Sequence, residues 1–309
     1  MSATGVQVTL AERSDGVHWT LARIPVIEDA SGTALTGVSC SARDACTAVG
    51  SYTTPAGTQV GLIESWNGAQ WDIESAGEPV MSAVSCTSGR ACMAVGRSSA
   101  ETWAGNRWTV RALPAPTGSQ SVQLNGISCT RATACTAVGS HQGSLVATST
   151  LAERWDGTSW TIQSTPNGPE PTSLHAVSCS PPSTCMAVGQ WSDEHDNDVA
   201  AELWDGTSWS LFPLQSVPIG DAGYGAVAFN GVSCPTPDAC EAVGALVVNQ
   251  NSLLAAHWDG TNWTIETTPS PDNTQAADQF NSVSCPAPAV CAAVGSSAFQ
   301  TAQLIEEES

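Results

Sequence analysis

Residues 173–189, SLHAVSCSPPSTCMAVG, hold two cysteines six positions apart between runs of small and β-branched residues. The same pattern, GVSC-x5-C-x-AVG with small variations, recurs at Cys40/Cys46, Cys86/Cys92, Cys129/Cys135, Cys179/Cys185, Cys234/Cys240 and Cys285/Cys291. Between these units runs a second element: ESWNGAQW at 64–71, ETWAGNRW at 101–108, ERWDGTSW at 153–160, ELWDGTSW at 202–209 and AHWDGTNW at 256–263. A degenerate copy, ERSDGVHW, covers 12–19. Of the 12 tryptophans only Trp191 falls outside this second element. Self-similarity at a period near 50 residues marks a repeat architecture, so the repeat rather than any single motif decides the fold.

Each repeat reads as four short strands: A (LxGVSC), B (CxAVG), C (LAERW) and D (SWTIQ). C and D are joined across an Asn-Gly or Asp-Gly turn, a strong hairpin signal. Four strands per repeat, six times over, with no window of helical period, is the pattern of an all-β, six-bladed β-propeller. One domain is expected over 1–309. The chain opens with a C strand and a D strand and ends with A, B and the C-like TAQLIEEE. The N-terminal D strand around Trp19 is therefore expected to close the last blade and remove its open edge. Either residues 7–12 or residues 302–306 serve as that blade's C strand.

The order AVG, loop, LAERWDG, Trp, LxGVS resembles kelch-type propeller repeats, which run from a small-residue strand to a Trp-bearing outer strand. It is also similar to the cysteine-paired propeller repeats of secreted bacterial proteins. The likeness covers nearly the whole chain and implies a shape, since such folds host many functions.

The 12 cysteines form six equal pairs with none left over. C-x5-C across adjacent antiparallel strands brings two Cα atoms within bridging range. Zinc wants closer spacing and further ligands, which loops such as SARDA and PTPDA lack. Disulfides at all six pairs are the expectation, and with them an oxidising, extracellular compartment. The stretch MSATGVQVTLAERSDG has neither a basic nor an apolar leader region.

Nine arginines and no lysine stand against 29 acidic residues, for a formal charge of −20. Such a surface repels phosphate backbones and anionic lipid, so neither nucleic acid nor a membrane is an expected partner. No run is long and apolar enough for a membrane span, and the lack of lysine excludes Schiff-base chemistry. No cofactor is expected, no metal site is assigned, and a monomer is the expected state.

Function is expected on the face that carries the irregular D–A and B–C connections, because binding residues gather on loops held by a rigid scaffold. The other face carries uniform cysteine loops and tight turns, which read as structural. Four residues before each first cysteine stands a polar ring at the starts of the A strands: Thr36, Ser82, Asn125, His175, Asn230 and Asn281. The B–C loops add Tyr52, Arg97, His141 and Trp191, and the long fifth D–A connection carries Tyr224. Trp191 suits either stacking on a sugar or planar ligand or packing on a neighbouring loop. His175 departs from the small polar residue that every other blade shows. His18 and His257 belong to the hairpins of the other face; His195 joins His141 and His175 on the working face. The acidic segment 193–198 (Asp193, Glu194, Asp196, Asp198) is a solvated loop or a calcium loop. Glu12, Glu64, Glu101, Glu153 and Glu202 repeat at one strand position, which points to a structural hydrogen-bonding role.

No nucleophile elbow, phosphate loop or metalloprotease helix is present. With only Tyr52 and Tyr224 as tyrosines, copper-radical oxidase chemistry lacks its ligands, and one arginine on the working face is too few for a sialidase. The expected function is binding of a small polar molecule or carbohydrate in the central funnel. The alternatives are an enzyme (lyase, cyclase or hydrolase) using His175 as its catalytic group, and a structural or protein-interaction module.

Overall fold

The computed structural model describes residues 11–14, 19–77, 79–143, 148–166, 172–192, 197–212, 226–248, 250–268, 278–296 and 303–308. The chain divides into two compact units, Met1–Pro114 with Arg131–Cys135 and Trp155–Trp160, and Ala115–Thr130 with Thr136–Arg154 and Thr161–Ser309.

In the first unit, β1 (Ala11–Ser14) and β2 (Trp19–Ala22) form a two-stranded sheet. One four-stranded antiparallel sheet follows from β3 (Gly32–Ala42), β4 (Ala45–Thr53), β5 (Gln59–Trp66) and β6 (Trp71–Gly77). The next comprises β7 (Met81–Ser88), β8 (Ala91–Gly96), β9 (Ser99–Trp103) and β10 (Trp108–Ala112). A third sheet, mostly in the second unit, holds β11 (Ser121–Arg131), β12 (Ala134–Gln142), β13 (Thr148–Trp155) and β14 (Trp160–Gln163). The fourth comprises β15 (Thr172–Ser180), β16 (Thr184–Ser192), β17 (Asn197–Trp204) and β18 (Trp209–Leu211). The fifth comprises β19 (Ala226–Thr236), β20 (Ala239–Val248), β21 (Gln250–Trp258) and β22 (Trp263–Glu266). The sixth is three-stranded, from β23 (Gln279–Ala287), β24 (Val290–Ser296) and β25 (Gln303–Glu308). Consecutive strands are neighbours in every sheet, and the six are the blades of a six-bladed β-propeller. Residues 303–308 take the C position of the sixth blade, paired to β24 from Cys291↔Glu308 to Ser296↔Gln303. Residues 11–14 pair with β2 instead.

The cysteines of a pair face each other directly across the A–B ladder, as in Cys40↔Cys46, Cys86↔Cys92 and Cys179↔Cys185. Bridges join Cys40 to Cys46, Cys86 to Cys92, Cys179 to Cys185, Cys234 to Cys240 and Cys285 to Cys291, with Cα–Cα distances of 3.9–4.1 Å. Cys129 and Cys135 are also disulfide-bonded, and no described cysteine is free.

The second cysteine of each pair is set deeper than a loop position suggests. That residue lies on the B strand, inside the sheet, and is paired on its other side with the first hairpin tryptophan: Cys46↔Trp66, Cys92↔Trp103, Cys185↔Trp204 and Cys240↔Trp258. Flanking strands and indole rings therefore cover it. Cys92, Cys185 and Cys240 are buried, and Cys240 belongs to the apolar core between the fourth and fifth blades. Cys46 is half-buried, whereas its partner Cys40 is exposed.

Beside the bridges, at the same end of each blade, the paired tryptophans stack at ring distances of 5.6–5.9 Å, from Trp66–Trp71 to Trp258–Trp263. Between them the turn glycine, such as Gly157 at φ 100°, adopts a conformation that a side chain disfavours. The preceding aspartate caps the turn: Asp156 Oδ1 accepts from the Thr158 and Ser159 amides, which lowers its pKa to about 2.

Within each unit, neighbouring blades pack sheet on sheet, and one backbone-to-serine hydrogen bond recurs between them. The core between the fourth and fifth blades comprises Met186, Val188, Val199 and Ala201 against Val227, Phe229, Val232 and Leu254. Four times the serine of VSC accepts from the amide of the next blade's first cysteine. Ser39 accepts from Cys86 in the first unit; Ser128 from Cys179, Ser178 from Cys234 and Ser233 from Cys285 in the second. These bonds are 2.9–3.0 Å long. The recurring serine is thus a seam residue.

Five A strands carry a β-bulge at the ring position, with register shifts at Leu35/Gly37, Met81/Ala83, Leu174/Ala176, Phe229/Gly231 and Phe280/Ser282. Opposite each of these bulges stands the glycine of AVG, as in Leu174↔Gly189. A Cβ on Gly189 would lie 2.0 Å from the Ser173 carbonyl oxygen, so the bulge and the glycine require each other.

The recurring glutamates are buried, as a structural role demands, but the bonding differs from the expectation. Glu64 and Glu153 are at most 1% exposed, and among the described residues neither carboxyl oxygen of either has a hydrogen-bond partner. The cross-strand partners of Glu64 are Ala48 and Ile73, which have no side-chain acceptor or donor to give. Burial alone pushes Glu64 up to about 7 and Glu153 up to about 8. Glu202 rises to about 8 by burial, partly opposed by the Thr150 hydroxyl beside it. These groups enter the folded state protonated. The unfolded chain releases those protons above the usual carboxylate pKa, so stability is fullest below about 4.5 and falls as pH rises towards 8. Each carboxyl contributes a slope of about 1.4 kcal/mol per pH unit inside that window. Melting temperature is expected to decline from pH 5 to pH 8, and Glu153→Gln is expected to flatten that decline. A profile unchanged by Glu153→Gln removes the carboxyl from the explanation.

Candidate functional site

The ring residues sit on the bulges, and the structure shows what holds them there. Asn125 Nδ2 donates to the Leu174 carbonyl, and Asn230 Nδ2 to the Phe280 carbonyl, at 2.9 and 2.7 Å. In the first unit the Thr36 hydroxyl lies 3.3 Å from the carbonyls of Val49 and Met81. Each reaches the residue just before the next blade's ring position, so the ring staples neighbouring A strands. Asn281 is exposed and accepts from Gln279 Nε2.

His175 performs the same task with a different group. Its Nδ1 lies 3.0 Å from the Phe229 carbonyl oxygen, which can only accept, so Nδ1 carries the proton. Burial holds the imidazole below its ordinary pKa, partly offset by that carbonyl. The neutral ring leaves the Nε2 lone pair as a base, which neither an asparagine nor a threonine offers at this position.

The rim residues lie mostly on strands, because B and C continue to pair beyond the AVG glycine. Tyr52 is half-buried on β4, opposite Thr33 and Val60. His141 is half-buried on β12, with Nδ1 3.0 Å from the Ser119 hydroxyl. Trp191 is half-buried on β16, opposite Thr172 and Asp198. It stands three positions along the fourth blade's A–B ladder from His175, about 10 Å at strand spacing. Arg97 is exposed on the turn between β8 and β9, next to Ser98 at φ 57°. Asn125, His141, His175, Trp191, Asn230 and Asn281 share the second unit; Tyr52 and Arg97 belong to the first. Tyr224, His195, Asp193, Glu194 and Asp196 lie outside the described residues.

The first unit also contains a cavity on the side read from the sequence as purely structural. It lies between the first and second blades, by the cysteine loops and tight turns, and measures about 230 Å³. Trp66, Trp103 and Trp108 wall it, with Asp44, Ser65 and Glu74 supplying polar atoms. The Ser65 hydroxyl donates to Glu74 Oε1. Cys46 and Cys92 line it as well, with Cys92 Sγ 3.6 Å from the Thr47 hydroxyl of the preceding blade. Sequence reasoning missed the cavity by looking for variation in the loops alone. The third residue after the second hairpin tryptophan is Glu74, Arg111, Gln163, Phe212 and Glu266 in successive repeats, a variability the uniform frame conceals.

No protein-family model matches the chain, and no curated protein matches it. Solved structures do. The chain is similar to Chaetomium thermophilum Sqt1, crystallised bound to the N-terminus of the ribosomal protein L10, at 13% identity and TM-score 0.51, over 85% of this chain and 69% of that one. It is similar to the SapL1 lectin, solved in complex with α-methyl fucoside, at 13% identity and TM-score 0.50, over 89% of this chain and 95% of that one. A fucose-recognising lectin from Aleuria aurantia, described as a six-bladed β-propeller, matches at 14% identity and TM-score 0.48, over 84% and 88%. At such identities the likeness is one of fold.

Proposed function

We propose that this protein is a carbohydrate-binding β-propeller that holds one sugar residue in the cavity between its first two blades. The carrying observation is the chemistry of that cavity. Aromatic faces stack on the C–H faces of a sugar, while carboxylates and hydroxyls accept from and donate to its hydroxyls, and Trp66, Trp103 and Trp108 stand beside Asp44, Ser65 and Glu74 there. The SapL1 lectin, which shares the fold, was solved with a fucoside. The six disulfides support an extracellular setting. We further infer a kelch-like strand order within each blade and a monomeric, single-domain molecule. Calorimetry with α-methyl fucoside and a panel of monosaccharides tests the reading. Trp103→Ala is expected to lower affinity at least tenfold while Trp191→Ala leaves it unchanged. Binding that survives Trp103→Ala and Glu74→Gln, or no binding to any sugar, overturns it.

A second reading rests on His175. Its free Nε2 suits a small polar ligand or a proton-transferring role at the A-strand starts, with Asn125, Asn230 and Asn281 at equivalent positions of other blades and Trp191 on its own. His175→Asn restores the residue found in other blades and keeps the carbonyl bond, so it is expected to remove ligand contact without loss of stability. A ligand-induced melting shift that is identical in parent and His175→Asn rejects this reading.

A further inference from the structure

We propose that the fifth blade carries a divalent transition-metal site formed by Glu241, His257 and Glu266. Each ligand comes from a different strand: Glu241 from β20, His257 from β21 and Glu266 from β22. Glu241 and His257 are direct cross-strand partners, and His257 pairs with Thr264, two residues before Glu266 on the same face. One ligand atom from each lies within 4.8 Å of the others.

Three observations set this cluster apart. First, two of its members depart from the other blades. Position for position, Glu241 stands where Thr47, Met93, Thr136, Met186 and Ala292 stand, and His257 where Ser65, Thr102, Arg154 and Leu203 stand. The fold therefore has no need of these ligands. Secondly, the buried glutamate that four other blades carry on the C strand is Ala256 here, so the fifth blade places its carboxylates elsewhere. Thirdly, Glu241 is only 6% exposed, yet its Oε1 meets His257 Nδ1 with Glu266 close by. Two carboxylates outweigh one imidazole whatever its protonation, and the chain's charge of −20 adds to the field.

The donor set selects the metal class. One imidazole and two carboxylates, without sulfur, suit zinc or another first-row divalent ion, whereas calcium wants six or more oxygens. A zinc ion bonded at about 2 Å to each ligand brings the three donor atoms within about 3.5 Å, a shift of roughly an ångström for one carboxylate. The ion takes the place of the Nδ1–Oε1 hydrogen bond, and the proton of that bond passes to the buffer. Three protein ligands leave a coordination position for water.

The test uses untagged protein, stripped with chelator and titrated with Zn²⁺ by calorimetry in two buffers of different ionisation enthalpy. One equivalent is expected to bind with micromolar or tighter affinity and a buffer-dependent heat, and to raise the melting temperature by several degrees. His257→Gln and Glu266→Gln are each expected to weaken binding at least tenfold, while Glu74→Gln and His175→Asn leave it unchanged. Both His257 and Glu266 are half-buried, so the two variants are checked for parental melting without metal. No Zn²⁺ binding by the parent, binding unaffected by either variant, or binding lost equally with His175→Asn overturns the proposal. Sugar binding does not enter this experiment, so the two readings fail separately.

Discussion

Reducing the protein is expected to unfold it near physiological temperature. Each bridge closes a loop of a few residues, worth about 2 kcal/mol on the chain-entropy account. Six of them approach the whole stability of an ordinary domain, about 5–15 kcal/mol. The layer between the fourth and fifth blades mixes small side chains such as Val188, Ala201 and Ala242 with the larger Met186, Phe229 and Leu254. Cys240 itself is part of that layer, so breaking its bridge also disturbs the packing. Thermal melts with and without a phosphine reductant, with thiols counted in the denatured protein, read the effect. A fall of roughly 15 °C or more is expected, with 12 thiols appearing only after reduction. An unchanged melting temperature in the fully reduced protein removes the staples from the account of stability.

Gly189→Ala is expected to cost about 3 kcal/mol or more, far above an ordinary surface change. The added methyl meets the Ser173 carbonyl oxygen at 2.0 Å and Leu174 Cα at 2.8 Å. Backbone, unlike a flexible side chain, cannot step aside. Relief would require the bulge to open and His175 to leave the Phe229 carbonyl. Gly143→Ala, where nothing lies within 4 Å of the new methyl, is the matched control and is expected to change stability by less than about 0.5 kcal/mol. Urea titration of both variants measures the difference, and equal midpoints contradict the close-approach argument.

The repeat made the blades legible because each element has a reason visible in residue types. Paired cysteines at one spacing, Trp-Asp-Gly turns and runs such as CMAVG read directly as staples, hairpins and buried strands. What the spacing could not show is that Cys46 and Cys92 would border a cavity, since that depends on how two blades face each other. The ring of Thr36, Asn125, His175 and Asn230 was legible as a position, but its work was not. Its hydrogen bonds run to the Met81, Leu174, Phe229 and Phe280 carbonyls, and no local pattern announces a bond to a residue about 50 positions away. The glutamates show the converse limit. Recurrence at one strand position announced a structural role, yet only the packing reveals that Glu64 and Glu153 have no hydrogen-bond partner among the described residues and hold their protons to higher pH than an ordinary carboxyl. Glu241, His257 and Glu266 are scattered over 26 positions in the chain, and register alone brings them together.

The serine seam bears on how the chain finds its structure. Ser39 reaches Cys86, Ser128 reaches Cys179, Ser178 reaches Cys234 and Ser233 reaches Cys285, at separations of 47, 51, 56 and 52 residues. Each bond joins one blade to its immediate successor. The entropy of closing a loop grows only with the logarithm of its length, so every such closure costs nearly the same. Assembly can then proceed as a series of equal steps, each blade forming the template on which its successor docks, with the search confined to neighbours in the chain.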